Sequence, residues 1–215
     1  MKAVIFDMDG VLVDSEPLHY ESDSELLRRL GISVPDGYLD RFIGMSNPAI
    51  WEEIANEFKI QKDVREILNA QLSLKLKLLK RAEVKPIDGI PELLKEIRRA
   101  GLPVAVASSS SSIFIKEVLK RIGVDRLIDG FVSGESVARS KPEPDVFLKA
   151  AEFLGVEPAD CVVIEDSKNG TIAAKRAGMK CVGFNNPHPG NQDLSAADLV
   201  IDDFRKLTLK ALSAV

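Results

Sequence analysis

The stretch AVIFDMDGVLVDSE, Ala3 to Glu16, decides how the rest of the chain is read. Four apolar β-formers, Ala3-Val4-Ile5-Phe6, stop at Asp7, and Asp9 follows two residues later. Alternate residues of a strand share a side, so both carboxylates are expected to project from one strand end into one small volume. Carboxylates held that close repel each other, and either one keeps a proton or a cation sits between them. A second reading starts from Asp9-Gly10, a hairpin-turn signal when apolar runs flank it, with Asp7 a solvated bystander. The segment alone leaves both open, and a hairpin could hang beyond a functional strand end.

From about Pro86 onward, strand-like and helix-like runs alternate. Leu102–Ala107 precedes a helical pattern over 113–122, and GFVSG precedes PDVFLKAAEFLG. CVVIED precedes NGTIAAKRAG, whose Gly178 sits where a helix C-terminal cap belongs. KCVGF and ADLVID supply two more strands, and FRKLTLKALSAV reads as a closing helix. Such alternation specifies an α/β fold, a parallel sheet covered by helices. Its strands are continuous apolar runs, as strands buried on both faces should be. Between them, HYESDSELLRRLG, PAIWEEIANEFK and VREILNAQLSLKLKLLKR place apolar residues at helical spacing, and no strand interrupts them. That insertion is far longer than a crossover connection. The expected division is a core of residues 1–14 and 84–215 and an all-helical cap of residues 15–83, hinged near Asp14–Glu16 and Glu83–Gly89.

The 215 residues suit a core domain with one smaller insertion. A net charge of −4 without a basic tract argues against a nucleic-acid partner. No apolar stretch reaches membrane-span length, and the first strand follows Met1-Lys2 directly, so neither a membrane partner nor a signal peptide is expected. Cys161 and Cys181 both begin apolar runs and read as buried core thiols rather than a disulfide or a zinc site. A cytoplasmic monomer is expected.

Ligands of open parallel sheets bind beyond the carboxyl ends of the strands. The first end carries Asp7 and Asp9. The second carries Ser108 and Ser109 ahead of a helix, suited to phosphate oxygens or simply to capping that helix. The third has Lys141 just before the prolines of SKPEPDVF. The fourth ends in Glu165-Asp166, an acidic pair able to cap the next helix or to offer hard oxygens to Mg2+. Each has an ordinary structural reading; together they are the groups that surround an anion and its metal.

On these residues the sequence resembles the haloacid dehalogenase superfamily of phosphotransferases. Asp7-Met8-Asp9-Gly10-Val11 matches its nucleophile motif, and Ser108, Lys141 and Glu165-Asp166 match its later motifs in order. KAVIFDMDGVLVDSEPLH, SKPEPDVF and EDSKNGTIAAKRAGM are most similar to β-phosphoglucomutases and related sugar-phosphate phosphatases. The resemblance implies a Rossmann-like core with the helical cap inserted after the first strand. It makes Asp7 the nucleophile, Asp9 the general acid and base, and Ser108 and Lys141 catalytic partners. It implies Mg2+ held by the Asp7 carboxylate, the Asp9 backbone carbonyl, Asp166 and Glu165. Ser109, His19 and Gly44 would bind a small phosphorylated sugar. The chain departs from the mutase pattern at Ile43 and Asn47, where a lysine and an arginine bind a second phosphate. Hydrolysis is therefore expected over isomerisation, unless Lys75, Lys77 or Lys80 compensates. A phosphoaspartate receiver has no need of a cap, and a true dehalogenase has no need of Glu165-Asp166 around a metal.

Overall fold

β1 (Ala3–Phe6) runs through the middle of the molecule and is buried on both faces. The computed structural model describes residues 1–42, 45–187 and 192–215. After β1 the chain enters three helices, α1 (Glu16–Arg29), α2 (Asn47–Glu57) and α3 (Val64–Arg81). It then alternates: α4 (Ile90–Arg99), β2 (Val104–Ser108), α5 (Ser112–Arg121), β3 (Gly130–Ser133), α6 (Asp145–Leu154), β4 (Cys161–Glu165), α7 (Lys168–Arg176), β5 (Lys180–Phe184), β6 (Leu199–Ile201) and α8 (Leu209–Ala214). Among the described residues, six strands form one parallel sheet in the order β3-β2-β1-β4-β5-β6. Val4 lies opposite Val104 on one side and Val162 on the other, so β1 is the point from which the strand order runs outward both ways. Such a reversal opens a crevice at the carboxyl ends.

Strand alternation splits the core into two layers. Val4, Phe6, Val106 and Ile164 face α4 and α5, with Leu93 and Phe114 packed against them. Ala3, Ile5, Ala107 and Val163 face α6 and α7, where small residues such as Ala150 and Ala173 let the helices approach closely. Each fully buried Ile or Phe contributes about 1.5–3 kcal/mol. The three inserted helices bury a third cluster of their own, with Leu27, Trp51, Ile54 and Ile67 at its centre. α3 is capped by Asp63, whose side chain accepts the Arg65 N–H at 2.8 Å. Its inward stripe is Ile67, Gln71, Leu74, Lys75 and Leu79, so two polar side chains are buried with the apolar ones. At its far end Arg121 of α5 donates to the carbonyls of Lys80 and Ala82 at 3.1 and 3.0 Å. No helix among the described residues is long and apolar enough to cross a membrane.

Two local readings differ from the sequence. Asp9-Gly10 does not open a hairpin: Gly10 takes φ +81°, and the Met8 carbonyl accepts the N–H groups of Val11 and Leu12, so the chain coils into a turn. The closing segment is not one helix. Phe204 anchors a short 3-10 turn against Phe184, ring centroids 4.3 Å apart, and Thr208 then caps α8 separately.

Gly89 precedes α4 with φ +87°, and a Cβ there would lie 2.7 Å from the Arg205 backbone nitrogen. Neither the left-handed backbone nor that contact tolerates a side chain. Gly89→Ala is expected to cost about 1–3 kcal/mol, read as a lower denaturation midpoint in urea; an unchanged midpoint would refute the packing described.

Candidate active site

β1 and β4 are neighbours, so the residues that follow them meet. The Asp7 N–H donates to the Ile164 carbonyl at 2.9 Å, which carries the pairing one residue past the strand. Asp7 is 5% exposed, Glu165 1% and Asp166 7%, and carboxylate oxygens from all three lie within 4.8 Å of one another. Lys141 reaches in from the loop before α6. Its Nζ donates to Asp7 Oδ1 at 2.6 Å, to Glu165 Oε1 at 2.8 Å and to the Ala107 carbonyl at 3.3 Å. The other Glu165 oxygen accepts the Ser167 N–H at 2.6 Å and hydroxyl at 2.9 Å. Asp166 presses on the turn after Asp9, where a Cβ at Gly10 would lie 1.9 Å from its Oδ2. That position requires glycine for its backbone angle and for this approach.

Three carboxylates around one ammonium leave the charge unbalanced. Burial pushes the Asp7 carboxyl up to about 8, against the pull of Lys141, and Glu165 and Asp9 add to the rise. Burial, then Glu165 and Asp7, also hold Asp166 well above the usual carboxylate range. Burial disfavours the Lys141 charge, but Asp7 and Glu165 outweigh it and raise the ammonium's pKa. The donor set is all carboxylate oxygen and fits a hard divalent cation.

Asp9 has a different environment. Its Oδ1 accepts the Ser15 hydroxyl at 2.5 Å and lies 3.0 Å from His19 Nε2. Its Oδ2 accepts the hydroxyls of Ser108 at 3.0 Å and Ser110 at 2.9 Å. Burial opposes ionisation, but the hydrogen bond and charge of His19, then Ser15 and Ser110, hold its pKa below the usual range. Asp7 and Asp9 thus line one cleft without sharing one set of partners. β1 ends at Phe6, so strand alternation does not extend to Asp9.

The remaining expectations divide by position. His19 lies on α1, beside Asp9, with its ring edge-on to Phe114 at 5.7 Å. Ser109 lines the cleft, as does Ser110. Ser108 does not open onto it: the residue is fully buried, bonded to Asp9 and to the Ser110 N–H at 3.0 Å. The helix expected after these serines starts at Ser112, and its cap is Ser111 rather than Ser108 or Ser109. Nor does the acidic pair cap α7; Ser167 does, accepting the Gly170 N–H at 3.0 Å. Gly44 and Ile43 lie outside the described residues. Lys75 is buried, whereas Lys77 and Lys80 are exposed. Sequence reasoning did not single out Ser15, Ser110 or Ser167. A run of five serines, Ser108 to Ser112, holds no signal for which one turns inward.

Known proteins are similar to this chain over nearly its full length. The sequence profile of the haloacid dehalogenase-like hydrolases matches residues 4–184. Hexitol phosphatase B of Escherichia coli is 32% identical, the match covering 98% of this chain and 96% of that protein. The β-phosphoglucomutase of Bacillus subtilis is 31% identical, over 99% and 94%. The crystal structure of CbbY from Rhodobacter sphaeroides in complex with phosphate superimposes with a TM-score of 0.89, at 28% identity and 99% coverage of both chains. With a parallel sheet, an acidic cluster at its central strand ends and a profile match across most of its length, this chain belongs to the haloacid dehalogenase-like hydrolase family.

Proposed function

We propose that the protein is a Mg2+-dependent phosphatase of small phosphorylated carbohydrates, working through an aspartyl phosphate on Asp7. The observation that carries this reading is the pairing of two unlike carboxylates in one cleft: Asp7 beside Lys141, Glu165 and Asp166, and Asp9 among hydroxyls and His19. The hexitol phosphatase and mutase relatives supply the substrate class.

A carboxylate oxygen of Asp7 attacks phosphorus while the ester bond to the sugar oxygen breaks. Asp9 delivers a proton to that oxygen. Water then attacks the aspartyl phosphate and gives its proton to Asp9; the bond to Asp7 breaks and inorganic phosphate leaves. Splitting the displacement in two makes each step easier. The low pKa of Asp9 suits the second step, where it is the base. For the first step the arriving phosphate adds negative charge beside Asp9 and favours its protonated form. Lys141 keeps Asp7 oriented and offsets charge that builds on it. Asp7, Glu165 and Asp166 would hold Mg2+, with the Asp9 carbonyl as a further donor, and the cation supplies electrostatic stabilisation of phosphoryl oxygens. The helices of residues 15–83 act as a cap that excludes water and carries His19 to Asp9.

Isomerisation is the second reading, favoured by the similarity to a β-phosphoglucomutase. It needs cations for a second phosphate, and Asn47 is a neutral amide. Following β-glucose 1-phosphate with its bisphosphate primer separates the two. Inorganic phosphate is expected to outpace glucose 6-phosphate; the reverse order would establish the mutase.

Asp7→Asn is expected to lower phosphate release by on the order of a thousandfold or more with the fold retained. Circular dichroism checks the fold and a phosphate assay the loss; substantial residual turnover would remove Asp7 as nucleophile.

Chelator should abolish activity and Mg2+ restore it. A thermal signature accompanies this. The folded Asp7 carboxyl titrates near 8 against an ordinary 3.8, so the native state holds a proton that the unfolded chain releases. Stability from that proton is complete below the unfolded value and is lost as pH rises toward 8. With EDTA, Tm is expected to fall between about pH 5 and 8, and Mg2+ should flatten the slope. Identical slopes with and without Mg2+ would contradict a cation in this cluster.

A further inference from the structure

We propose that Lys75 selects the leaving group: with Asn47 and Asn69 it binds hydroxyls of a neutral, extended polyol in a cavity beside the catalytic cleft, and substrates with a second phosphate are disfavoured there. This rests on the phosphatase reading and adds the kind of substrate that the site prefers.

Lys75 has an uncommon environment. It is 3% exposed, held inward by the buried stripe of α3 between Leu74 and Leu79. Buried lysines are ordinarily paired with an acid. Among the described residues its Nζ makes one hydrogen bond, to Asn47 Oδ1 at 3.1 Å, and no carboxylate lies within ion-pair distance. Burial lowers the pKa of its ammonium, and the acids that oppose this, Asp23, Asp9 and Glu16, act from farther away. An ammonium has three donors, so two are left for something that enters.

The surroundings are built rather than incidental. Asn47 begins α2 and also accepts from Gln71 Nε2 at 3.3 Å, and Gln71 in turn bonds Asp23 of α1. Three helices therefore fix the Asn47 amide, and with it the ammonium. The cavity beside Lys75 is lined by Asn47, Asn69, Gln71, Ser109 and Ser110. Asn47, Ser109 and Ser110 also line the cleft that holds Asp7 and Asp9, so the two spaces adjoin. A leaving group whose phosphate sits against Asp7 extends toward this cavity past Ser109 and Ser110 as its carbon chain lengthens.

Charge argues for hydroxyls over a second phosphate. Glu16 and Asp23 line the cleft and Glu135 the cavity. One ammonium against these carboxylates cannot balance a further dianion. Hydroxyls suit both sets, accepting from Lys75 and the amides and donating to the acids.

The test compares sorbitol 6-phosphate, glycerol 3-phosphate and fructose 1,6-bisphosphate as substrates of the Mg2+-loaded protein. Wild type should favour sorbitol 6-phosphate over both. Lys75→Met keeps the aliphatic stem and removes the charge. It should cut the kcat/KM ratio of sorbitol 6-phosphate to glycerol 3-phosphate about tenfold, chiefly through KM. Asn69→Ala changes an exposed side chain of the same cavity and should shift the ratio the same way by a smaller factor, which keeps the test decisive if Lys75→Met does not fold. An unchanged ratio in both variants, or faster wild-type turnover of the bisphosphate than of sorbitol 6-phosphate, overturns the proposal. Release of phosphate from none of the three would overturn the phosphatase reading as well, and is distinguished by that breadth.

Discussion

Three buried carboxylates meet at the carboxyl ends of the central strands beside one lysine that bonds two of them, and this unbalanced charge is the constraint around which the site is arranged. Burial alone would drive protons onto Asp7 and Asp166. Ser167 and Lys141 satisfy Glu165, and the same ammonium must also serve Asp7, so one positive charge is divided between two carboxylates while Asp166 adds a third. The fold keeps this cluster because the sheet around it is apolar on both faces and cannot open to water without losing two core layers. A site of this kind is tuned for charge that arrives from outside.

Asp9 shows how far local partners alone can separate two like groups. Its side chain is 20% exposed against 7% for Asp7, and hydroxyls and an imidazole lower its pKa where burial, with Glu165 and Asp9 adding, raises that of Asp7. Divergent environments for neighbouring carboxyls are how one pocket obtains a nucleophile and a proton carrier from the same side chain type. The donors to Asp9 come from two parts of the chain: Ser108 and Ser110 follow a central strand, while His19 belongs to the inserted helices. The environment of Asp9 is thus sensitive to where those helices sit.

Much of this was legible in the sequence because it depends on periodicity and on strand ends. Uninterrupted apolar runs located the buried strands, Asp7 and Glu165-Asp166 stand where two of those runs stop, and Lys141 stands just ahead of the prolines that precede α6. Less was legible where the outcome depends on rotation of one turn. The serine run could not disclose that Ser108 turns toward Asp9, that Ser109 faces the cleft and that Ser111 caps α5. Asp7 and Asp9 line one cleft, as expected, but a strand rule that stops at Phe6 could not disclose their different hydrogen-bond partners. The expected last helix is interrupted where Phe204 packs on Phe184 from a 3-10 turn and Thr208 caps α8 anew, a long-range contact that helical periodicity does not encode.

The pairing of β1 with β4 has a consequence for how the chain folds. The acids that meet in the buried cluster are more than 150 residues apart in sequence, since Asp7 follows the first strand and Glu165 ends the fourth. No local segment can assemble them, and their mutual repulsion resists the closure of that central pair. Late, non-local contacts of this kind slow folding. A hard cation that binds only the finished cluster would draw the last strand pairing to completion, and its affinity would report how much of the population holds an intact sheet.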